Sequence, residues 1–194
     1  MPSRLVLLRH GATEWSQSGQ HTGRTDIPLL PEGQLQAEAA GPLLWRYGFT
    51  EFAQVLTSPL LRAGETCSLA GFVGEVDPDL MEWDYGAYEG ITTAEIQRNR
   101  PGWNLWNDGV PGGETAADVG RRADRVIERA RSVDGDTLAV AHGHFLRVLG
   151  ARWVGLPPVA GRLFRLDAGA ICVLGSEHDL PCIEMWNLVV PPVG

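Results

Sequence analysis

The stretch LVLLRHGATEW, residues 5–15, sets four apolar residues directly before Arg9 and His10. A second stretch, TLAVAHGH at residues 137–144, repeats this pattern around His142. Short apolar runs that end at a glycine are typical of buried strands. We therefore expect two buried strands, each followed by a histidine, and we expect the two histidines to meet in the fold.

Strand-like and helix-like runs alternate along the rest of the chain. The strand-like runs lie at residues 4–8, 53–59, 73–77, 137–141, 170–175 and 182–190, and the helix-like runs at 31–48, 60–71, 114–132 and 144–155. Pro42 is expected to kink or divide the first of these helices. The alternation predicts an α/β fold, a three-layer sandwich with a mostly parallel central sheet flanked by helices. The last two strands are expected to form a hairpin.

Composition narrows the classes of function. The chain has 194 residues, 44% of them apolar, which fits a folded domain rather than a disordered segment. Its net charge of −8, with no lysine, argues against nucleic acid and membrane partners. The three cysteines fit no metal or redox spacing and indicate reduced thiols. We expect a cytoplasmic protein that acts on a small molecule. The composition does not decide between a monomer and a homo-oligomer.

The residues at the predicted strand ends suit phosphate chemistry. Ligands of α/β sheets bind beyond the carboxyl ends of the strands, where Arg9, His10 and His142 are expected. Arginine matches phosphate oxygens, and Arg62 is a second candidate because a cation in the first turn of a helix opposes the helix dipole unless an anion is bound there. A histidine such as His10 can serve as the nucleophile, while His142 can donate to the transferred group.

A leaving alcohol also needs a proton. Glu82, beside Trp83, is the candidate acid and later base, with Asp84 and Glu89 as rivals.

Other interpretations remain open at this point. The two histidines could be ordinary core residues, or His142 and His144 could form a metal pair on alternate strand positions. The chain could also be a silent phosphate-binding module or a phosphoprotein phosphatase. We expect no metal and no cofactor, because no acidic metal loop accompanies the histidines.

Four motifs, in this order, resemble the histidine phosphatase superfamily, which includes the cofactor-dependent phosphoglycerate mutases. They are RHG at 9–11, SPLLRAGETC at 58–67, EWDYGAYEG at 82–90 and AHGH at 141–144. The resemblance implies that His10 is the phosphorylated nucleophile, that Arg9, Arg62 and His142 complete the phosphate pocket, and that Glu82 is the proton donor. It also implies one catalytic domain over residues 1–194, with a cap-like insertion near 78–113. Ala12 and Ser16 depart from the acid and the asparagine that are common in the first motif.

Several stretches resemble the sedoheptulose-bisphosphatase branch, namely TEWSQSGQHTGRTDIPL at 13–29, EWDYGAYEG at 82–90, WNLWNDG at 103–109 followed by GET at 113–115, and HGHFLR at 142–147. The mutases carry a lysine after the third motif, where this chain has Thr92 and Thr93, so hydrolysis is favoured. We expect a metal-independent phosphomonoester hydrolase for a small sugar phosphate such as sedoheptulose 1,7-bisphosphate, with a mutase or a broad-specificity acid phosphatase as alternatives. Arg147 or Arg24 could meet a second phosphate, and Trp103 and Trp106 could face the sugar. The candidate substrate-binding residues are Ser16, Thr22, Gly23, Asp84, Tyr85, Gly143 and His144.

Overall fold

The computed structural model describes residues 3–189 and contains a six-stranded sheet in the order β3-β2-β4-β1-β5-β6. The strands are β1 (Leu5–Arg9), β2 (Gln54–Thr57), β3 (Glu75–Val76), β4 (Thr137–Ala141), β5 (Ile171–Glu177) and β6 (Leu180–Leu188). The helices are α1 (Glu14–Ser18), α2 (Pro31–Arg46), α3 (Leu61–Leu69), α4 (Thr93–Asn99), α5 (Leu105–Asp108), α6 (Ala116–Arg131) and α7 (Gly143–Trp153).

The sheet is mostly parallel, as the sequence predicts. Strand β4 pairs in parallel with both β1 and β2, and β2 pairs in parallel with β3. Strands β5 and β6 form an antiparallel hairpin, and β5 also runs antiparallel to β1. The α/β prediction is therefore confirmed. The last predicted strand reached Val190, which lies outside the described residues.

Strand β1 shows why the sheet is covered on both faces. Leu5 and Leu7 belong to an apolar cluster with α6 and α7, whereas Val6 and Leu8 belong to a second cluster with α2 and α3. Successive side chains of a strand point to opposite faces, so a continuous apolar run places a core on each side. The result is the three-layer arrangement that the sequence indicates.

Helix α2 runs without a break through Pro42, so the predicted division is wrong, while the predicted kink stays a prediction. A proline removes one backbone donor from a helix. The buried face of α2 nevertheless continues across Pro42, with Ala40 and Gly41 before it and Leu44 after it. A Cβ atom on Gly41 would lie 2.3 Å from the Ala70 carbonyl oxygen, which shows how closely the helix approaches the end of α3. Tertiary packing keeps the helix whole.

The segment near 78–113 contains short helices that the spacing of apolar residues does not predict. It holds α4, α5 and two 3₁₀ helices at Pro78–Leu80 and Gly86–Tyr88. The single domain with a cap-like insertion stays a prediction. None of the helices within residues 3–189 is both long and apolar enough to cross a lipid bilayer.

Candidate active site

His10 and His142 lie side by side at the carboxyl edge of the sheet. His10 follows β1 and His142 follows β4, and these neighbouring parallel strands pair Arg9 with Ala141 at their ends. The two imidazole rings have centroids 5.2 Å apart, and both side chains are buried. The meeting of the two histidines is what the repeated sequence pattern predicts.

The His10 ring is held as a neutral imidazole with one free nitrogen. Its Nδ1 atom lies 2.7 Å from the Gly11 carbonyl oxygen, which can only accept, so Nδ1 carries the proton. Burial, together with the charges of Arg62 and Arg9, holds the pKa of His10 well below its ordinary value. The Nε2 atom therefore keeps a lone pair, which a nucleophile needs.

Arg62 is a fully buried arginine in the first turn of α3. Its terminal nitrogens donate to the carbonyl oxygens of Thr22 (3.1 Å), Gly23 (3.0 Å) and Thr25 (2.9 Å). Its Nε atom has no partner among the described residues. The loop at residues 22–25 thus fixes the far side of the guanidinium group and leaves Nε–H for another acceptor.

Arg9 has the same division between bound and unbound donors. One terminal nitrogen donates to the Leu166 carbonyl oxygen, while its buried Nε atom has no partner within residues 3–189. A Cβ atom on Gly143 would lie 3.2 Å from the guanidinium carbon, so the glycine leaves room for Arg9 to lie across the start of α7. Burial lowers the pKa of Arg9, and the nearby Glu82 carboxylate opposes that shift.

Glu89, a rival for the proton donor, instead supports the loop around Arg62. Its carboxylate accepts the backbone N–H groups of Gly23 (2.9 Å) and Thr25 (3.0 Å). Carboxylates stabilise backbone donors strongly. Glu89 and Arg62 therefore hold opposite sides of the same loop.

Glu82 sits at the N-terminus of α7 and lines the main cavity. Its Oε1 atom accepts the N–H groups of Trp83 and Phe145, both at 2.8 Å, and its Oε2 atom accepts the N–H of His144 at 3.0 Å. Two donors occupy the lone pairs of Oε1, whereas Oε2 keeps one free. Oε2 is the atom that can carry a proton.

A cavity of about 360 Å³ opens beside these groups. Of the predicted substrate contacts, it is lined by Ser16, Thr22, Tyr85, Gly143 and His144. Arg9, His10 and Glu82 also line it, whereas Arg62 and His142 are fully buried and are not among its lining residues.

Two predicted substrate contacts, Gly23 and Asp84, are not among the residues that line the cavity, and their role toward substrate stays a prediction. The Gly23 N–H donates to the Glu89 carboxylate, and the Gly23 carbonyl oxygen accepts from Arg62. The Asp84 carboxylate faces Arg24 at 3.3 Å and accepts the Gly86 N–H. Arg24, which this contact occupies, does not line the cavity either.

Ser16 reaches the cavity with its hydroxyl group already engaged. The Oγ atom donates to the Thr13 carbonyl oxygen at 2.9 Å and accepts the Thr13 N–H at 2.8 Å, which closes the capping box of α1. A capping residue satisfies the free donors at a helix start. Its role toward substrate stays a prediction.

Aromatic side chains form part of the cavity wall. Trp103 and Trp106 are almost fully buried and also line the cavity, so they serve as core and as wall together. The Tyr85 hydroxyl lies 2.7 Å from His144 Nδ1. The Arg147 guanidinium stacks over Trp106, 4.7 Å from its ring centroid.

The sequence analysis missed several lining residues, namely Trp15, Gln97, Asn104 and Leu105. They belong to α1, α4 and α5 or to their caps, which are too short to show a period. His142 and His144 do not occupy alternate strand positions, because α7 begins at Gly143 with His142 as its N-cap. Within residues 3–189, no group of three or more His, Cys, Asp and Glu side chains could hold a metal ion.

The sequence pattern of the histidine phosphatase superfamily (branch 1) matches residues 5–189. The chain belongs to this superfamily. An acid phosphatase of Mycobacterium tuberculosis is 42% identical over 192 residues, which cover 97% of this chain and 94% of that protein. The sedoheptulose 1,7-bisphosphatase of Saccharomyces cerevisiae is 39% identical over 262 positions, covering 99% of this chain and 96% of that protein.

A solved structure shows the same fold. The product of the open reading frame Rv3214 from Mycobacterium tuberculosis superposes with a TM-score of 0.93 at 40% identity, and the match covers 97% of this chain and 99% of that one. With full-length relatives that are named as phosphatases, the chain is a phosphatase, and phosphatases of this superfamily act on small phosphorylated substrates. The resemblance read from the four motifs is confirmed.

Proposed function

We propose that this phosphatase hydrolyses phosphomonoesters of small sugars, without a metal ion, through a phosphohistidine at His10. The observation that carries the proposal is the state of His10, a buried neutral ring whose Nδ1 is bound to Gly11 and whose Nε2 keeps its lone pair. A nucleophile of this kind splits one difficult displacement into two easier ones.

In the first half-reaction, the lone pair of His10 Nε2 attacks the phosphorus atom. A P–N bond forms and the P–O bond to the sugar breaks. The Oε2 atom of protonated Glu82 gives its proton to the leaving oxygen, so the sugar departs as an alcohol. Glu82 is then a carboxylate that the N–H groups at the start of α7 stabilise.

In the second half-reaction, Glu82 acts as the base. Its Oε2 atom takes a proton from a water molecule, whose oxygen attacks the phosphorus atom. A new P–O bond forms and the P–N bond breaks, which returns the electron pair to His10 Nε2 and releases inorganic phosphate. The same carboxyl group thus serves as acid and as base.

Arg9, Arg62 and His142 supply donors for the oxygens of the transferred group. Each has a buried side-chain nitrogen with no partner among the described residues. Such buried unpaired donors are rare in proteins. Preorganised donors stabilise the charge that develops in phosphoryl transfer, at about 3 kcal/mol each.

The cavity favours a sugar with a second phosphate. Arg147 lines it beyond His144, and its Nε and Nη2 atoms donate to the carbonyl oxygens of Gly161 and Arg162. Its Nη1 atom has no hydrogen-bond partner within residues 3–189. Asn104 and Gln97 line the same region and can bind hydroxyl groups. We therefore assign the second phosphate to Arg147 rather than to Arg24.

The names of the two relatives point to different substrate specificities, one for a sugar bisphosphate and one for phosphate esters in general. The alignment with the yeast bisphosphatase spans 262 positions, more than the 194 residues of this chain, so the yeast protein carries insertions that are absent here. The acid phosphatase aligns over 192 residues. We propose a sugar bisphosphate such as sedoheptulose 1,7-bisphosphate as the preferred substrate and keep a broad-specificity acid phosphatase as the second candidate. A cytoplasmic location and a homo-oligomer stay predictions.

Phosphate release in EDTA from a substrate panel tests the proposal. The panel holds sedoheptulose 1,7-bisphosphate, fructose 1,6-bisphosphate, single-phosphate sugars, 3-phosphoglycerate and a phosphopeptide, with His10→Ala as the control. We expect release that favours the bisphosphates and disappears in His10→Ala. Release that requires a metal, or that survives the loss of His10, would contradict the mechanism. Equal release from all small esters would select the acid phosphatase.

A further inference from the structure

Ser58 is buried next to His142 and is not among the residues that line the cavity. It directly follows β2, its N–H donates to the Val140 carbonyl oxygen at 3.0 Å, and its side chain is 1% exposed. The hydroxyl Oγ lies 2.7 Å from His142 Nε2 and accepts the N–H of Leu60 at 3.3 Å.

Counting hydrogens at the Ser58 hydroxyl decides which way its bond to His142 runs. A serine hydroxyl has one hydrogen to donate and two lone pairs. Leu60 N–H already occupies one lone pair. Among residues 3–189, the only acceptor within reach of the hydroxyl hydrogen is His142 Nε2. The alternative, with Nε2–H donating, would leave a buried hydroxyl hydrogen without an acceptor, which is unfavourable.

The direction of this bond fixes the tautomer of His142. Burial and the charges of Arg62, His10 and Arg9 hold the pKa of His142 well below its ordinary value, so the ring has one proton. Since Nε2 accepts from Ser58, that proton lies on Nδ1. Nδ1 is buried, without a partner among the described residues, in the same way as the Nε atoms of Arg9 and Arg62.

We propose that Ser58 is a positioning residue that locks His142 in the tautomer with the proton on Nδ1, so that Nδ1–H points at the transferred phosphoryl group. The inference rests on the proposed function, because it assigns the receiving oxygen to a phosphoryl group. In the other tautomer, His142 would turn a lone pair toward an anion and repel it. The hydroxyl of Ser58 therefore acts on the reaction through His142, without touching the substrate.

The tautomer can be read without any substrate. Long-range ¹H–¹⁵N correlation spectra of histidine ring nitrogens distinguish the two forms, and the chain has only five histidines. The signals that disappear in His142→Gln assign the ring. We expect the wild-type protein to hold the Nδ1–H form and Ser58→Ala to show a mixture of both forms. A wild-type His142 with its proton on Nε2 would overturn the proposal.

Kinetics supply the second readout. We expect Ser58→Ala to lower kcat by about 10- to 100-fold with little change in KM, since a misplaced donor weakens the transition state more than the ground state. Ser58→Thr, which keeps the hydroxyl, should restore most of the loss. The matched control is Thr57→Val, which removes a neighbouring buried hydroxyl that faces only the Ser58 carbonyl oxygen, at 3.4 Å.

The outcomes separate this proposal from the function on which it rests. An unchanged tautomer and an unchanged kcat in a folded Ser58→Ala protein would contradict the role of Ser58. Activity that survives in His10→Ala would instead contradict the phosphohistidine mechanism, whatever the tautomer of His142. An equal loss of activity in Thr57→Val would show that Ser58 acts only through local packing.

Discussion

Three side chains around the phosphate site divide their hydrogen-bonding groups between the protein and the site. His10 binds Gly11 through Nδ1, and Arg9 and Arg62 bind backbone carbonyl oxygens through their terminal nitrogens. In the proposed mechanism, a remaining nitrogen of each side chain contacts the substrate. Because the protein contacts fix each side chain, the groups need little reorganisation when the phosphoryl group binds.

Glu82→Gln tests the proton donor at this scale. Proton transfer typically contributes about 10²- to 10⁴-fold, so we expect kcat for a sugar phosphate to fall within that range. The fall should be much smaller for p-nitrophenyl phosphate, because its leaving group needs no proton. Steady-state kinetics with both substrates check this. Asp84→Asn is the control, and a larger loss there, or equal losses for both substrates in Glu82→Gln, would rule out Glu82.

Arg147→Met tests the second phosphate site. Methionine keeps an apolar contact with Trp106 but removes the charge. A hydrogen bond to a charged group contributes about 1.5–3 kcal/mol, so KM for a sugar bisphosphate should rise about 10- to 100-fold. KM for p-nitrophenyl phosphate should stay the same. Arg24→Met is the matched control, and a KM increase there instead would move the site to Arg24.

The sequence predicts the residues whose position depends on one strand end, and it misses those that depend on a partner far along the chain. Arg9, His10 and His142 are of the first kind. Ser58 is of the second kind, because its bond to His142 spans 84 positions. The carbonyl oxygens that hold Arg62 come from residues 22–25, whose loop shape follows no local pattern.

At the scale of whole elements, α2 meets the catalytic loop through two glycines. A Cβ atom on Gly33, in the first turn of α2, would lie 2.2 Å from the Ala12 carbonyl oxygen, and one on Gly11 would lie 2.1 Å from the Gly33 carbonyl oxygen. The backbone after His10 therefore rests directly on the helix. This contact fixes the height of the loop above the sheet, and only glycine permits it.

Gly33→Ala should consequently destabilise the protein. Overpacking of this kind costs about 1–3 kcal/mol of unfolding free energy, and kcat should fall because the loop that carries His10 must shift. Gly64→Ala in α3 is the matched control, since nothing lies within 4 Å of its Cβ position. That change should stabilise the protein by about 0.5–1 kcal/mol. Urea unfolding of both variants checks the pair, and equal effects would contradict the packing argument.

Helices are predictable from the sequence where one helix face is buried over several turns. Helix α6 shows an apolar residue every three or four positions, and its predicted range of 114–132 differs from the observed Ala116–Arg131 only at the ends. Helices α1 and α5 cover the cavity with five and four residues. Such helices depend on caps and on tertiary contacts, and the sequence gives no period from which to predict them.

At the scale of the whole molecule, several histidine side chains of the site lie in the protein interior. Burial is the leading cause that lowers the pKa of His21, His10, His142 and His144 below 6.5. A group that stays neutral in the folded state and takes a proton in the unfolded state makes stability depend on pH. The phosphate site therefore makes the fold sensitive to acid.

The sign of this dependence follows from which state binds the proton first. Below about pH 6.5 the unfolded histidines take up protons and the folded ones do not, so acidification favours unfolding. Each such histidine contributes up to about 1.4 kcal/mol per pH unit between 6.5 and its folded pKa. Carboxyl groups with lowered pKa values, such as Asp136, titrate from 3.8 downward and lie outside this range.

We therefore expect the free energy of unfolding to be constant between about pH 7 and pH 8 and to fall steadily from pH 6.5 to pH 5. His10→Gln should reduce the slope in that range by up to about 1.4 kcal/mol per pH unit, because one of the contributing rings is gone. Urea unfolding at half-unit pH intervals measures both proteins. A wild-type stability that stays flat from pH 7 to pH 5 would mean that the folded site binds protons as readily as the unfolded chain, and it would remove the neutral His10 on which the proposed nucleophilic attack depends.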